Sequence, residues 1–304
     1  MTKAEARWLG SDDRHARLRK IQQLDPEEDY REIAVLFYDD FNSIMLLQAV
    51  TGFMLTYAAP RMSRILSSTG ESERRVAKRF VDTALLARTV MRHGLGPGAG
   101  RNAARRVNAM HRQYDIHPED FVMVGCDEVV MSLEIADRFG WRPVIDAERE
   151  ALRIYYSHQS RAFGSRLPLP STLTGMRELW DRYVAEQLAF EPQNLRLAGA
   201  LLRYVAKLMP LPLRPIVRSL LLAQVDPRIV RACGLSAPGL AMRRFSSMAF
   251  RLLGRRDPVP DGQPDGLLGL VRTVYPDGWQ VHTLGTHVEA AEASGTPEAS
   301  VKTP

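Results

Sequence analysis

The sequence predicts an all-α protein, a single large helical domain with a short C-terminal β-hairpin. Three observations carry the helical reading. Apolar residues recur at three- and four-residue spacing in segment after segment. Proline and acidic residues open several of these segments and glycine or proline closes them. Strand-like alternation appears once, close to the C-terminus. Apolar residues make up 45% of the 304-residue chain, enough for a substantial core. The expected organisation is a basic N-terminal segment (1–25), a helical domain (26–256), and a linker, hairpin and disordered tail (257–304).

The elements follow in order. Asp25-Pro26-Glu27-Glu28 reads as a helix start, with aspartate as N-cap and proline at the first helical position. That helix is expected to run through Ile33, Phe37 and Phe41 into an uncharged window ending at Pro60. The window holds Asn42, Gln48, Thr51 and Thr56, so it reads as a buried core helix rather than a membrane span. Glu71 to Arg92 is amphipathic, with Val76, Phe80, Thr83, Ala87 and Val90 on one stripe expected to be buried. Gly94-Leu95-Gly96-Pro97-Gly98-Ala99-Gly100 breaks it. No strand precedes these glycines and no Gly-Lys-Ser/Thr follows, so they read as a helix–helix connection and not a phosphate loop. Arg101 to Tyr114 is the next helix, with Ala104, Val107 and His111 on its inner face. Helices are expected from Pro118 to Phe139, Asp146 to Gly164 and Thr174 to Leu188. Val271-Arg272-Thr273-Val274-Tyr275 and Trp279-Gln280-Val281-His282 alternate around Pro276-Asp277-Gly278, the pattern of the hairpin. The last sixteen or so residues, small and polar, are expected to be disordered.

Charge and cysteine content narrow the function classes. The formal net charge is +6. Between Pro192 and Arg256 the basic residues interrupt long aliphatic runs, and Asp226 is the one acid. That composition suits peripheral contact with an anionic membrane better than nucleic acid, whose binders interleave basic residues with aromatics or glycine-rich arms. Cys126 and Cys233 form no CxxC pair, which supports neither a zinc site nor a disulfide framework and fits a reducing compartment. The N-terminal twenty residues lack the apolar core of a signal peptide, so a cytoplasmic protein is expected.

Most catalytic templates fail. The sequence contains no HExxH, no GxSxG, no paired Glu-x-x-His helices and no dinucleotide fingerprint. What remains is His111 on the inner face of one helix, opposite Arg79 and Thr83 one turn apart on another. A single histidine suffices to ligate haem iron, since the macrocycle supplies four nitrogens. An arginine is the natural partner of a haem propionate, and a threonine hydroxyl in a dry pocket can donate to dioxygen or a carboxylate. A lone inward histidine is more often a hydrogen-bonded core residue than a ligand, and the residues alone leave both readings open.

Arg79-x-x-x-Thr83, the following helix with His111, and the run Glu150…Tyr155-Tyr156…Gly164…Leu167-Pro168…Pro170-Ser171-Thr172 resemble the catalytic domain shared by latex clearing proteins (rubber oxygenases) and mpaB-type oxygenases. The resemblance covers roughly residues 40–255. It implies an all-α fold with a globin-like helical core holding a b-type haem (haem b), with iron on His111 and with Arg79 and Thr83 in the haem pocket. It implies oxidative cleavage of a double bond by dioxygen. Two departures stand out. The rubber oxygenases have a lysine before that threonine, where this chain has Asp82; and no counterpart of their acidic catalytic residue is evident. The expectation is therefore a haem-dependent oxygenase acting on another small hydrophobic substrate, isoprenoid or lipid-like. The alternative is a non-catalytic helical protein that binds lipid or a membrane surface.

Overall fold

The computed structural model describes residues 6–262 and 266–286. Fifteen α-helices follow one another there: α1 (Ala16–Ile21), α2 (Tyr30–Asp40), α3 (Met45–Ala58), α4 (Pro60–Thr69), α5 (Glu71–Arg74), α6 (Val76–His93), α7 (Ala99–His111), α8 (Pro118–Phe139), α9 (Asp146–Ala162), α10 (Leu173–Glu186), α11 (Pro192–Leu208), α12 (Arg214–Leu222), α13 (Pro227–Ala232), α14 (Leu240–Gly254) and α15 (Gly266–Val274). The fold is all-α, with no strand among the described residues.

The central helix is α8. Pro118 occupies its first turn, the His117 ring accepts from the Glu119 amide, and Glu119 and Asp120 face the positive end of the helix dipole. Its apolar run buries Val122, Met123, Cys126, Val129, Leu133 and Phe139 against α3, α9, α10 and α14. Helix α3 supplies Leu47, Val50, Met54 and Leu55 to the same core, so the uncharged window is a core helix. Among the described residues no single helix is long and apolar enough to cross a membrane; α2 and α3 reach that length only as a pair bent by 74°.

The bend is one of several departures from the sequence reading. The expected continuous helix breaks at Phe41–Ile44, where the amide and hydroxyl of Ser43 both bond to the Asp257 carboxylate (3.0 and 2.6 Å). Helix α2 starts at Tyr30 rather than Asp25, because Asp25 and Asp29 bond backbone amides within the preceding turn (Glu27 N and Asp25 N, 2.8 and 3.0 Å). Arg75 separates α5 from α6. The expected C-terminal hairpin is absent. Residues 266–274 are helix α15 and a short 3-10 turn spans Val281–Thr283. Gly278, at φ +92°, does reverse the chain, but Val271, Val274 and Tyr275 share a helical face that packs on α6 and α7, and no neighbouring strand offers a ladder. The expected disordered tail lies outside the described residues.

The N-terminal segment and residues 257–261 lie against each other. Trp8 Nε1 donates to the Pro258 carbonyl (2.9 Å) and the Asp261 amide to the Arg7 carbonyl (2.7 Å). Beneath them lies a buried ion cluster. Arg142 donates to Asp40 from Nε and Nη2 (2.9 and 2.7 Å) and to Glu148 from Nη1 and Nη2 (2.9 and 2.7 Å). Glu148 also accepts the Ile145 amide, capping α9 (2.9 Å). Removing the guanidinium leaves the buried Glu148 without its cation and Asp40 with only Arg17, 3.7 Å away, a loss of about 3–5 kcal/mol. Arg142→Ala is expected to lower unfolding free energy by that amount in urea titrations, with the slope unchanged.

Candidate functional site

Helices α6 and α7 form an antiparallel hairpin joined at the glycine-rich break. Gly94 (φ +70°) ends α6 and Gly98 (φ +124°) precedes α7. A Cβ at Gly100 would sit 1.9 Å from the Gly94 carbonyl oxygen, so the two backbones meet where only glycine fits. This close turn carries His111, at the C-terminal end of α7, toward the first half of α6.

His111 Nδ1 lies 2.9 Å from the Phe163 carbonyl oxygen at the end of α9. A carbonyl can only accept, so the proton sits on Nδ1 and Nε2 carries the free lone pair. The ring meets Phe121 of α8 edge-on at 5.3 Å. Burial pushes its pKa down; the carbonyl bond opposes this and the Arg79 charge adds to it. The imidazole is thus held neutral, oriented and half-buried.

Arg79 lies over Phe53 of α3, 5.9 Å from the ring centre, and its charge also reaches Tyr57, which burial pushes up to about 12. Its Nη1 donates to Thr83 Oγ1, and that hydroxyl donates to the Arg79 carbonyl (2.8 Å). Thr83 therefore spends its proton on its own helix and holds the guanidinium. The structure brings the three residues singled out in the sequence into one neighbourhood. It differs in the stripe: Val76, Thr83 and Ala87 are only half-buried, while Val81, Leu85 and Leu86 make the dense contact with α7 and α15.

The half-buried stripe faces others of the same kind. Ala49, Gly52, Phe53 and Thr56 on α3 form an uncharged, partly accessible face, joined to α6 by the stacked Phe53–Phe80 pair (5.5 Å). On α8, otherwise the most buried helix, Val124 keeps 38% of its area exposed between half-buried Phe121 and Glu128. Apolar faces of α3, α6 and α8 thus keep accessible area beside Arg79, which lies over Phe53, and beside Phe121, which meets the His111 ring.

Glu128 stands on the same face of α8, and its role was not legible in the sequence beyond being a charge in an apolar run. Gln48 of α3 donates to its Oε2 (2.7 Å), and the Tyr156 hydroxyl of α9 lies close by. Tyr156 in turn meets Tyr38 (2.5 Å), which meets Ser132 (2.7 Å). Burial pushes the Glu128 carboxyl up to about 7. Its neighbour Asp127, accepting from Trp180 Nε1 (2.8 Å), is also pushed up to about 7 by burial. Two hollows elsewhere on the surface, of about 330 Å³ beside Phe190 and about 360 Å³ on α14, contain neither a histidine nor a carboxylate. Among the described residues no cluster of three or more His, Cys, Asp or Glu side chains could hold a metal ion.

The family model described as "ER-bound oxygenase mpaB/B'/Rubber oxygenase, catalytic domain" matches residues 38–255. The chain belongs to this family. No curated protein matches it. The matched span takes in α3 to α14 and hence Arg79, Thr83, His111 and Glu128.

Against this mpaB/rubber-oxygenase background, Asp82 has a clear job. Its carboxylate points away from the Thr83 face and accepts from the Gly285 amide (2.7 Å), Lys78 Nζ (2.5 Å) and the Tyr275 hydroxyl. Arg106 of α7 adds bonds to the Leu284 and Thr286 carbonyls (2.9 and 2.7 Å). Where the rubber oxygenases have a lysine, this chain uses an acid to anchor residues 275–285 over the α6–α7 hairpin. Asp82→Ala is expected to speed amide exchange at Gly285 and its neighbours. Asp82→Lys is expected to lower thermal stability further, since it sets a third cation beside Lys78 and Arg106.

A pH prediction follows from Asp127 and Glu128. Unfolded, they lose protons near their ordinary values of 3.8 and 4.5; folded, they keep them up to about 7. The folded state binds more protons in that window, so stability falls as pH rises through it. The melting temperature is expected to drop between about pH 4.5 and 7.5, and Glu128→Gln to flatten part of that drop and to be the more stable protein at pH 8.

Proposed function

We propose that the protein is a haem b-dependent oxygenase that uses dioxygen on a small hydrophobic substrate, isoprenoid or lipid-like. The observation that carries this reading is the His111–Phe163 bond, which leaves Nε2 as a neutral donor close to Arg79 inside an oxygenase family domain. The donor set fits a haem. His111 would hold the iron through Nε2, with its other nitrogen anchored as metal-bound histidines usually are. Arg79 would pair with a propionate, or with the oxygen-side ligand, as a guanidinium fixed by Thr83. Bound there, the haem supplies dioxygen activation.

The rest is done by the chain's own side chains. Thr83 positions Arg79 by holding Nη1. The faces of α3, α6 and α8, lined by Ala49, Phe53, Ala87, Phe121 and Val124, exclude water and select an apolar substrate. Glu128, titrating near neutrality, holds or takes a proton at its carboxyl while Gln48 fixes Oε2. It is an acid at the site, though no sequence correspondence with the family's acidic catalytic residue supports it.

The test is oxygen uptake by the haem-loaded protein over a panel of apolar olefins. Substrate-dependent uptake is expected, lowered about 10²-fold in Glu128→Gln together with loss of the pH limb near neutrality. Haem-loaded protein that consumes no oxygen with any unsaturated apolar compound would contradict the proposal.

A further inference from the structure

Helix α14 divides its apolar side chains between two faces. Inward, Phe250 packs on Phe139 (5.6 Å) beside small residues: Ser246 donates to the Leu220 carbonyl (2.7 Å), and a Cβ at Gly254 would fall within 1.9 Å of the Phe139 carbonyl oxygen. Outward, Leu240, Phe245, Met248 and Leu252 are 46–65% exposed. Arg244, Arg251 and Arg255 stand among them on the same face. The adjoining α12 and the turn before it repeat the pattern with Leu211, Leu213 and Ile216 beside Arg214 and Arg218. Of the thirteen large apolar side chains exposed among the described residues, seven fall in these two elements, so the exposure is a patch and not scatter.

The patch is cationic throughout. Pro192 to Arg256 holds twelve Lys and Arg against one acid, Asp226, which is already paired with Arg228. Among the described residues none of Arg218, Arg243, Arg244 or Arg255 has an ion-pair partner. Arg243, Arg244 and Arg251 ring the hollow of about 360 Å³ on α14, a setting for a phosphate group.

We infer that the face formed by α12 and α14 docks on the interface of an anionic phospholipid bilayer. Its arginines meet headgroup phosphates and its aliphatic side chains enter the acyl boundary, the arrangement of an in-plane amphipathic helix. A second copy of this chain fits poorly, because an isologous contact would oppose like charges with no acid to separate them. Nucleic acid offers phosphates but gives nothing to Leu240, Met248 and Leu252. The inference stands apart from the haem reading, since it uses none of His111, Arg79, Thr83 or Glu128.

The experiment is co-sedimentation of the full chain with phosphatidylcholine vesicles, with and without phosphatidylglycerol. Binding is expected only to the phosphatidylglycerol vesicles and to fade with salt. Arg244→Glu/Arg251→Glu should weaken it at least about tenfold. Phe245→Ser/Leu252→Ser, at unchanged charge, should weaken it as well. All four residues are exposed, and circular dichroism checks that the fold persists. Equal binding to neutral vesicles, no vesicle binding, variants that bind like the parent, capture of duplex DNA in place of vesicles, or a dimer abolished by the same substitutions would each overturn it.

Discussion

One hydrogen bond organises the site: the proton of His111 Nδ1 resting on the Phe163 carbonyl. It ties the end of α7 to the end of α9, and so fixes the α6–α7 hairpin relative to the central layer built on α8. It also decides the chemistry of the ring. With Nδ1 committed to a backbone acceptor, the imidazole is neutral and Nε2 is its donor atom. Backbone acceptors do not titrate, so this orientation persists across pH. The packed Phe121 edge leaves the ring little freedom to flip.

Around that ring the fold separates two sides of the same helix. On one side of α6, Arg79 and Thr83 face Phe53 of α3. On the other, Asp82 and Lys78 hold the chain at Tyr275 and Gly285. Adjacent residues thus serve unlike ends: Thr83 orients a cation toward the site, and Asp82 fastens a cover over the hairpin's outer face. The 100° step between neighbouring helical positions makes this possible. The buried carboxyls of α8 follow a similar division. Asp127 is satisfied by Trp180, whereas Glu128 combines its bond to Gln48 with residual exposure.

Much of this was legible in the sequence where the signals are local. Pro118 and Gly140 bound α8, Asp146 opens α9, and the glycines between α6 and α7 mark a turn. His111 was legible as an inward residue from its spacing with Ala104 and Val107. The rest depends on partners far along the chain. The break between α2 and α3 rests on Ser43 bonding Asp257, 214 residues away. The hairpin expectation failed because alternation over a few residues also satisfies a helix once α6 and α7 offer it a groove. The α6 stripe was taken for dense core because periodicity reports an apolar face and not whether a side chain or a cavity lies opposite. Glu128 announced itself only as a charge out of place; its partners sit on α3 and α9.

The most direct test of the account is the absorption spectrum of protein loaded with one equivalent of haemin, before and after reduction. The account predicts a Soret band with stoichiometric haem, lost in His111→Ala and restored to that variant by free imidazole filling the vacated ligand position. Protein that gives no Soret band, or a His111→Ala variant that keeps its full haem content without imidazole, would contradict it.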